Sequence, residues 1–240
     1  MKIGVKIYKE ENFLNYFEDK ADFFEVQAIQ KYNYDFLKKY KKPFVIHAEH
    51  FTQGSNPADK TMVKQNLKSL KFAQKLADET GAKKIIFHPG RIANHNCSKE
   101  QSIKFIKDIK DKRILIENLF QDNPVTLTPK DIKDFMEITN HRFCFDFSHA
   151  IAAANILKTE PYLFIKDFLK LNPFHYHIGG QKMNSKIDSH FSFFNKKSDI
   201  PVKKLLSLIP KDSEITLEVT ADIKKTEKDL EYVRKTIKDL

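Results

Sequence analysis

A chain of 240 residues and 28.1 kDa suits one domain of α/β-barrel size, and 41% hydrophobic residues with 21 Phe supply a full core, which excludes disorder for its bulk. Lysine interrupts every apolar stretch short of a membrane span, Lys6 breaks the opening apolar block before it makes a signal peptide, and two cysteines, Cys97 and Cys144, cannot build a disulfide framework, so a cytoplasmic protein is expected. A formal net charge of +10 favours polyanionic partners, nucleic acid first; yet only Arg91, Arg113, Arg142 and Arg234 among the 42 basic residues are Arg, and a lysine-rich surface also arises from compositional bias or heat adaptation.

In chain order, short apolar strands are predicted at Ile3–Ile7, Phe23–Ala28, Phe44–His47, Lys84–His88, Ile114–Glu117, Phe143–Asp146, His175–Ile178 and Ile215–Val219. Between them run amphipathic helices. Asn56-Pro57 predicts the start of one, with Val63, Leu67, Leu70 and Ala77 on one face and Gly81 as its stop. Ser98 with Gln101 has a capping-box pattern, Thr128-Pro129 and Thr159-Glu160-Pro161 open two more, and Leu230, Val233, Ile237 and Leu240 share a face of the last. The helices after the first two strands are the least marked. Strand then helix, eight times over, predicts a single (β/α)8 barrel spanning residues 1–240, with a doubly wound open sheet as the alternative. No glycine-rich phosphate loop occurs, so no nucleotide cofactor is expected.

The residues that end these strands are ionisable. His47, His88, Glu117, Asp146, His177 and Glu218 stand at strand ends, with His149 three residues beyond Asp146 and Asp188 and His190 in the loop after His177. A barrel gathers the C-terminal ends of its strands around one mouth, so five His and four carboxylates converge there. A single buried His is ordinarily a satisfied core residue, but several acids aimed into one pocket require cations. Imidazoles mixed with carboxylates suit zinc better than magnesium, and nine ligands exceed one four-coordinate ion, so two or three ions are expected.

These segments, above all His88-Pro89-Gly90, Ile116-Glu117-Asn118, Phe145-Asp146-Phe147-Ser148-His149-Ala150 and Asp188-Ser189-His190, resemble the endonuclease IV family of apurinic/apyrimidinic endonucleases, among the xylose-isomerase-like barrels. The resemblance covers roughly Phe44 to Val219. It implies three zinc ions: one on His47 and His88, bridged by Glu117 to a second on Asp146, His177 and Glu218, and a third on His149, Asp188 and His190. It implies hydrolysis of the phosphodiester 5′ of an abasic site in DNA, as in base excision repair, with a metal-bridged hydroxide as nucleophile, Glu117 and Glu218 as the catalytic carboxylates, and a chain acting as a monomer. His50, His95, His141 and His175 match no family ligand.

The first fifth departs from that family. Gly4-Val5-Lys6 stands where a Gly-x-His strand is usual, no Arg precedes Arg91 where an Arg-bearing loop enters DNA, and His50 replaces an aromatic. DNA contact is therefore expected from His50 and from Lys60, Lys182 and Lys186 as point charges around the mouth. The alternative is a metal-dependent sugar isomerase or epimerase of the same superfamily. It would use Glu25-Val26 on the second strand and the quartet Glu117, Asp146, His177 and Glu218, leaving the remaining ligands without a role. A third possibility, a non-catalytic metal-binding scaffold, requires closed coordination with no place for water.

Overall fold

A computed structural model describes residues 1–120 and 123–240. Eight parallel strands, β1 (Lys2–Ile7), β2 (Phe23–Gln27), β3 (Phe44–His47), β4 (Ile85–Phe87), β5 (Ile114–Glu117), β6 (Arg142–Asp146), β7 (His175–Ile178) and β8 (Glu214–Leu217), pair in chain order. β8 returns to β1 with Ile3 opposite Ile215, and this closes the barrel. Each predicted strand coincides with an observed one, β3, β5 and β7 to the residue.

The helices are α1 (Glu11–Phe17), α2 (Val63–Thr80), α3 (Lys99–Lys107), α4 (Pro129–Thr139), α5 (Phe147–Leu157), α6 (Pro161–Leu169), α7 (Val202–Leu206) and α8 (Ile223–Lys238). The connection after β2 is a 3₁₀ turn, Asp35–Lys39, while β6 is followed by two helices. Ser98, Thr128 and Glu160 cap α3, α4 and α6 as their sequence positions predict, and Gly81 ends α2 at φ 69°.

Asn56-Pro57 does not open α2, which begins at Val63. The Asn56 side chain is engaged elsewhere: Oδ1 accepts from Arg91 N and Nδ2 donates to Arg91 O, each at 3.0 Å, tying the β3–α2 loop to the β4–α3 loop. The buried face of α2 is Asn66, Ser69, Leu70, Ala73, Leu76 and Ala77, and the predicted Leu67 faces solvent.

Both faces of each strand are covered. The larger apolar cluster joins the sheet's outer face to the helices, and a smaller one, Phe23, Val45, Ile86, Leu115 and Cys144, fills the lower interior of the barrel. Gly4 makes room for it: a Cβ there would stand 2.2 Å from Cε2 of Phe23. Above these apolar side chains, alternate strand positions carry polar groups instead. Among the described residues no helix is long and apolar enough to cross a membrane.

Candidate metal centre

The barrel brings all nine sequence-predicted ligands to one mouth: seven line a cavity of about 320 Å³, and Asp146 and His177 are buried against them. Glu117, at the end of β5, is central. Its Oε2 lies 2.7 Å from His88 Nε2 and 3.4 Å from His47 Nε2, and its Oε1 lies 3.3 Å from His177 Nδ1. His177 Nδ1 is also 3.1 Å from Glu218 Oε1 and 3.8 Å from Asp146 Oδ2. One carboxylate thus joins two ligand groups, His47 with His88 on one side and Asp146, His177 and Glu218 on the other. A third group lies toward the opening, where Asp188 Oδ2 is 3.6 Å from His149 Nε2 and 2.5 Å from His190 Nε2.

Local structure delivers these side chains. Asp146 ends β6 and caps α5, its Oδ1 accepting from His149 N at 2.8 Å, so strand end and first helical turn carry two ligands on one rigid corner. In α5, Ala150, Ala152, Ala153 and Ala154 are small and buried, which lets the helix seat closely enough for His149 to reach the mouth. Asn118 fixes the corner from β5: its Oδ1 accepts from Asp146 N at 2.8 Å and its Nδ2 donates to Asp146 O at 3.0 Å.

Three histidines have one ring nitrogen occupied by the main chain. His47 Nδ1 donates to Ala48 O at 3.0 Å, His149 Nδ1 to Asn118 O at 2.8 Å, and His190 Nδ1 to Glu218 O at 3.1 Å. Each leaves Nε2 facing the carboxylates, the arrangement of a metal-binding imidazole.

The electrostatics are those of a site built for cations. Burial pushes the Asp146 carboxyl up to about 7, with Asp188, Glu218 and Glu117 adding to the rise. Burial opposes charge on His149 and His190, yet surrounding carboxylates prevail and raise them to about 10 and about 9. His88, with burial dominant, falls to about 4. Glu218 is held down at about 2, against burial, by Lys6 and His177. Glu117 Oε2 and Asp188 Oδ1 are buried and lack hydrogen bonds. Orphaned carboxylate oxygens beside imidazole nitrogens are what divalent cations satisfy, and the mixed nitrogen–oxygen donor set fits zinc.

Other expected residues are placed differently. His50 lines the cavity with its ring stacked on His88, centroids 4.8 Å apart, and so forms wall rather than a projecting wedge. Lys182 and Lys186 are exposed on the β7–α7 loop that carries Asp188 and His190. Lys60 lines a separate groove with His95 and Glu100. His141 is buried, 3.1 Å from Ile109 O, away from the cavity.

Two charged cavity residues escaped the sequence reading. Lys6 is partly buried and ion-paired to Glu218, with its Nζ 3.5 Å from Glu25. Arg91 lies against Phe51, its guanidinium carbon 3.1 Å from the ring centroid. The signal for Arg91 was its place directly after His88-Pro89-Gly90 in a chain with four Arg.

The xylose isomerase-like TIM barrel family profile matches residues 20–236. Among solved structures, endonuclease IV from Thermus thermophilus superposes with a TM-score of 0.78 at 16% identity, covering 100% of both chains. A D-tagatose 3-epimerase-like protein gives 0.75 at 19% identity over 100% of this chain and 99% of its own. IolI protein with a bound zinc atom gives 0.70 at 14% identity over 100% and 97%. At these identities the likeness is one of fold. A search of curated protein sequences finds no significant match.

Proposed function

The chain belongs to the xylose isomerase-like TIM barrel family, and within it we propose a zinc-dependent endonuclease that cleaves the phosphodiester 5′ of apurinic/apyrimidinic sites in DNA, acting as a cytoplasmic monomer. The observation that carries this reading is the third ligand group. His149, Asp188 and His190 meet at the cavity opening, outside the quartet that a sugar isomerase needs. The zinc atom bound in the IolI structure, of similar fold, agrees with the donor set here.

Bound zinc would polarise the phosphodiester and furnish an activated water near neutral pH. The chain's own groups do the rest. Glu117 holds two ligand groups in a fixed relation, and Glu218 lines the cavity as the carboxylate placed to orient an attacking water and take its proton. Arg91 and Lys6 bring positive charge to a phosphate in the cavity, while Phe51, Leu119 and Phe120 offer apolar wall to a base-free sugar. A nucleotide lacking its base is the least costly to turn out of the duplex, which is itself selective.

A second reading, metal-dependent isomerisation or epimerisation of a sugar, is favoured by the β2–β3 connection, which contains no Arg where the endonuclease family that the chain resembles carries an Arg-bearing loop. The deciding experiment incubates zinc-loaded protein with a duplex containing one abasic site and with a panel of free ketoses, each with and without chelator. Chelator-sensitive strand cleavage 5′ of the site supports the endonuclease. Sugar turnover without cleavage overturns it.

A further inference from the structure

Glu25, Lys84, His175 and Thr216 are buried in the barrel interior and play no part in the chemistry above. They form one hydrogen-bonded line beneath the metal centre, and its direction follows from its ends. Lys84 Nζ, held by Phe174 O at 2.9 Å and Glu214 at 2.8 Å, can only donate, so the His175 Nδ1 that it meets at 3.2 Å is an acceptor. His175 therefore carries its proton on Nε2 and donates to Thr216 Oγ1 at 2.9 Å. The Thr216 hydroxyl donates in turn to Glu25 Oε2 at 2.7 Å. That same oxygen lies 2.9 Å from His177 Nε2, and a carboxylate oxygen already receiving a hydroxyl proton can only accept again.

We infer that Glu25 is a positioning residue of the metal centre: it accepts a hydrogen bond from the Nε2–H of His177 and so presents Nδ1 to a divalent cation shared with Glu117, Asp146 and Glu218. The inference rests on the metal-centre reading above. His47, His149 and His190 have their tautomers set by main-chain carbonyls and present Nε2. His177 presents the other nitrogen, and its partner is a side chain that substitution can remove. Lys6 faces Glu25 Oε1 at 3.5 Å and also pairs with Glu218, so the carboxylate is steadied from both sides. Glu25, His175 and His177 are also near enough to share an ion of their own. The Lys84 ammonium at His175 and the hydrogen bonds already closed among these groups argue against that occupant.

The test combines ¹⁵N NMR of zinc-loaded protein with zinc affinity, read by competition against a chromophoric chelator, and the visible spectrum of the cobalt-substituted protein. His177 is expected to keep a proton on Nε2 with zinc bound. Glu25→Ala is expected to weaken one zinc by about 10- to 100-fold and alter the cobalt spectrum, while Glu25→Gln, which keeps an acceptor, restores most of both. A zinc-coordinated Nε2 on His177 overturns the inference, as does Glu25→Ala with wild-type affinity and spectrum. The NMR arm needs no variant, so a Glu25→Ala that fails to fold does not shield the inference. Wild-type protein that binds no zinc overturns this inference and the metal-centre reading together, whereas wild-type zinc binding with an indifferent Glu25→Ala overturns this one alone.

Discussion

At the scale of single residues, the histidines at the mouth differ in what a metal must displace. His149 and His190, raised to about 10 and about 9 by the carboxylates around them, carry protons at pH 7, whereas His88, lowered to about 4, does not. A cation binds the unprotonated ring, so protons compete with it at the third group across the neutral range and at His88 only near pH 4. Zinc loading of metal-free protein at pH 7 in weak buffer is therefore expected to release about two protons at the third group, and on acidification that group is expected to empty first. Titration with a pH indicator and metal analysis across pH 5–9 check this; loading without proton release overturns it. Substitutions should separate the groups in the same way. His190→Ala is expected to lose one metal and slow strand cleavage by at least about tenfold, while Glu117→Gln disturbs two metals at once because its two oxygens serve different groups. Elemental analysis beside single-turnover cleavage reads both, and His190→Ala cleaving at the wild-type rate refutes a role for the third group.

At the scale of elements, the loop that carries Asp188 and His190 is anchored to α8 by a carboxylate. Asp229 Oδ1 accepts from Ser192 Oγ at 2.8 Å and Phe193 N at 2.9 Å, while Oδ2 is buried without a hydrogen bond, and burial raises the carboxyl to about 6. A raised carboxyl binds its proton more tightly in the folded chain, so its contribution is favourable at acid pH and is lost as pH rises through about 6. Asp229→Asn keeps the Oδ1 acceptor and removes the buried charge. It is expected to stabilise the protein at pH 8 by about 2 kcal/mol, or about 5 °C in Tm, and to do little at pH 4. Thermal melts at the two pH values decide it, and equal shifts at both refute the charge argument. The elements themselves were legible to unequal degrees. The strand ends could be read because each apolar run stops at an ionisable residue. The start of α2 could not, because Asn56 looks like a cap when its partner, the Arg91 backbone, lies 35 residues away. The Lys84–His175–Thr216–Glu25 line was hidden for another reason. Strands buried on both faces lack the polar–apolar alternation that tells inward from outward, so only closure of the barrel shows which side chains share its interior.

At the scale of the whole molecule, the net charge of +10 gains meaning only from where its members stand. Lysine is spread over the entire chain, but Lys182 and Lys186 are exposed on the loop that supplies the third ligand group, Arg91 lines the cavity, and Lys60 lines a different groove. If DNA is the substrate, a β2–β3 connection without Arg leaves phosphate contacts as the main source of affinity. Each contact releases counterions, so binding should weaken with salt at a log–log slope of about −0.9 per phosphate. The double variant Lys182→Gln, Lys186→Gln is then expected to flatten that slope by about 2, equally on abasic and intact duplexes, because point charges on phosphates carry no information about the missing base. Lys60→Gln is the internal control and should leave the slope unchanged. Arg91→Lys keeps the charge but loses the planar fork and its stacking on Phe51, so it should reduce the preference for abasic over intact duplex while leaving the slope in place. Fluorescence anisotropy of both duplexes with zinc-loaded protein, from low to physiological salt, reads all of these at once. Salt-independent binding, or an Arg91→Lys variant with undiminished preference for the abasic duplex, would place recognition elsewhere on the barrel and shift the balance toward a small sugar as the substrate.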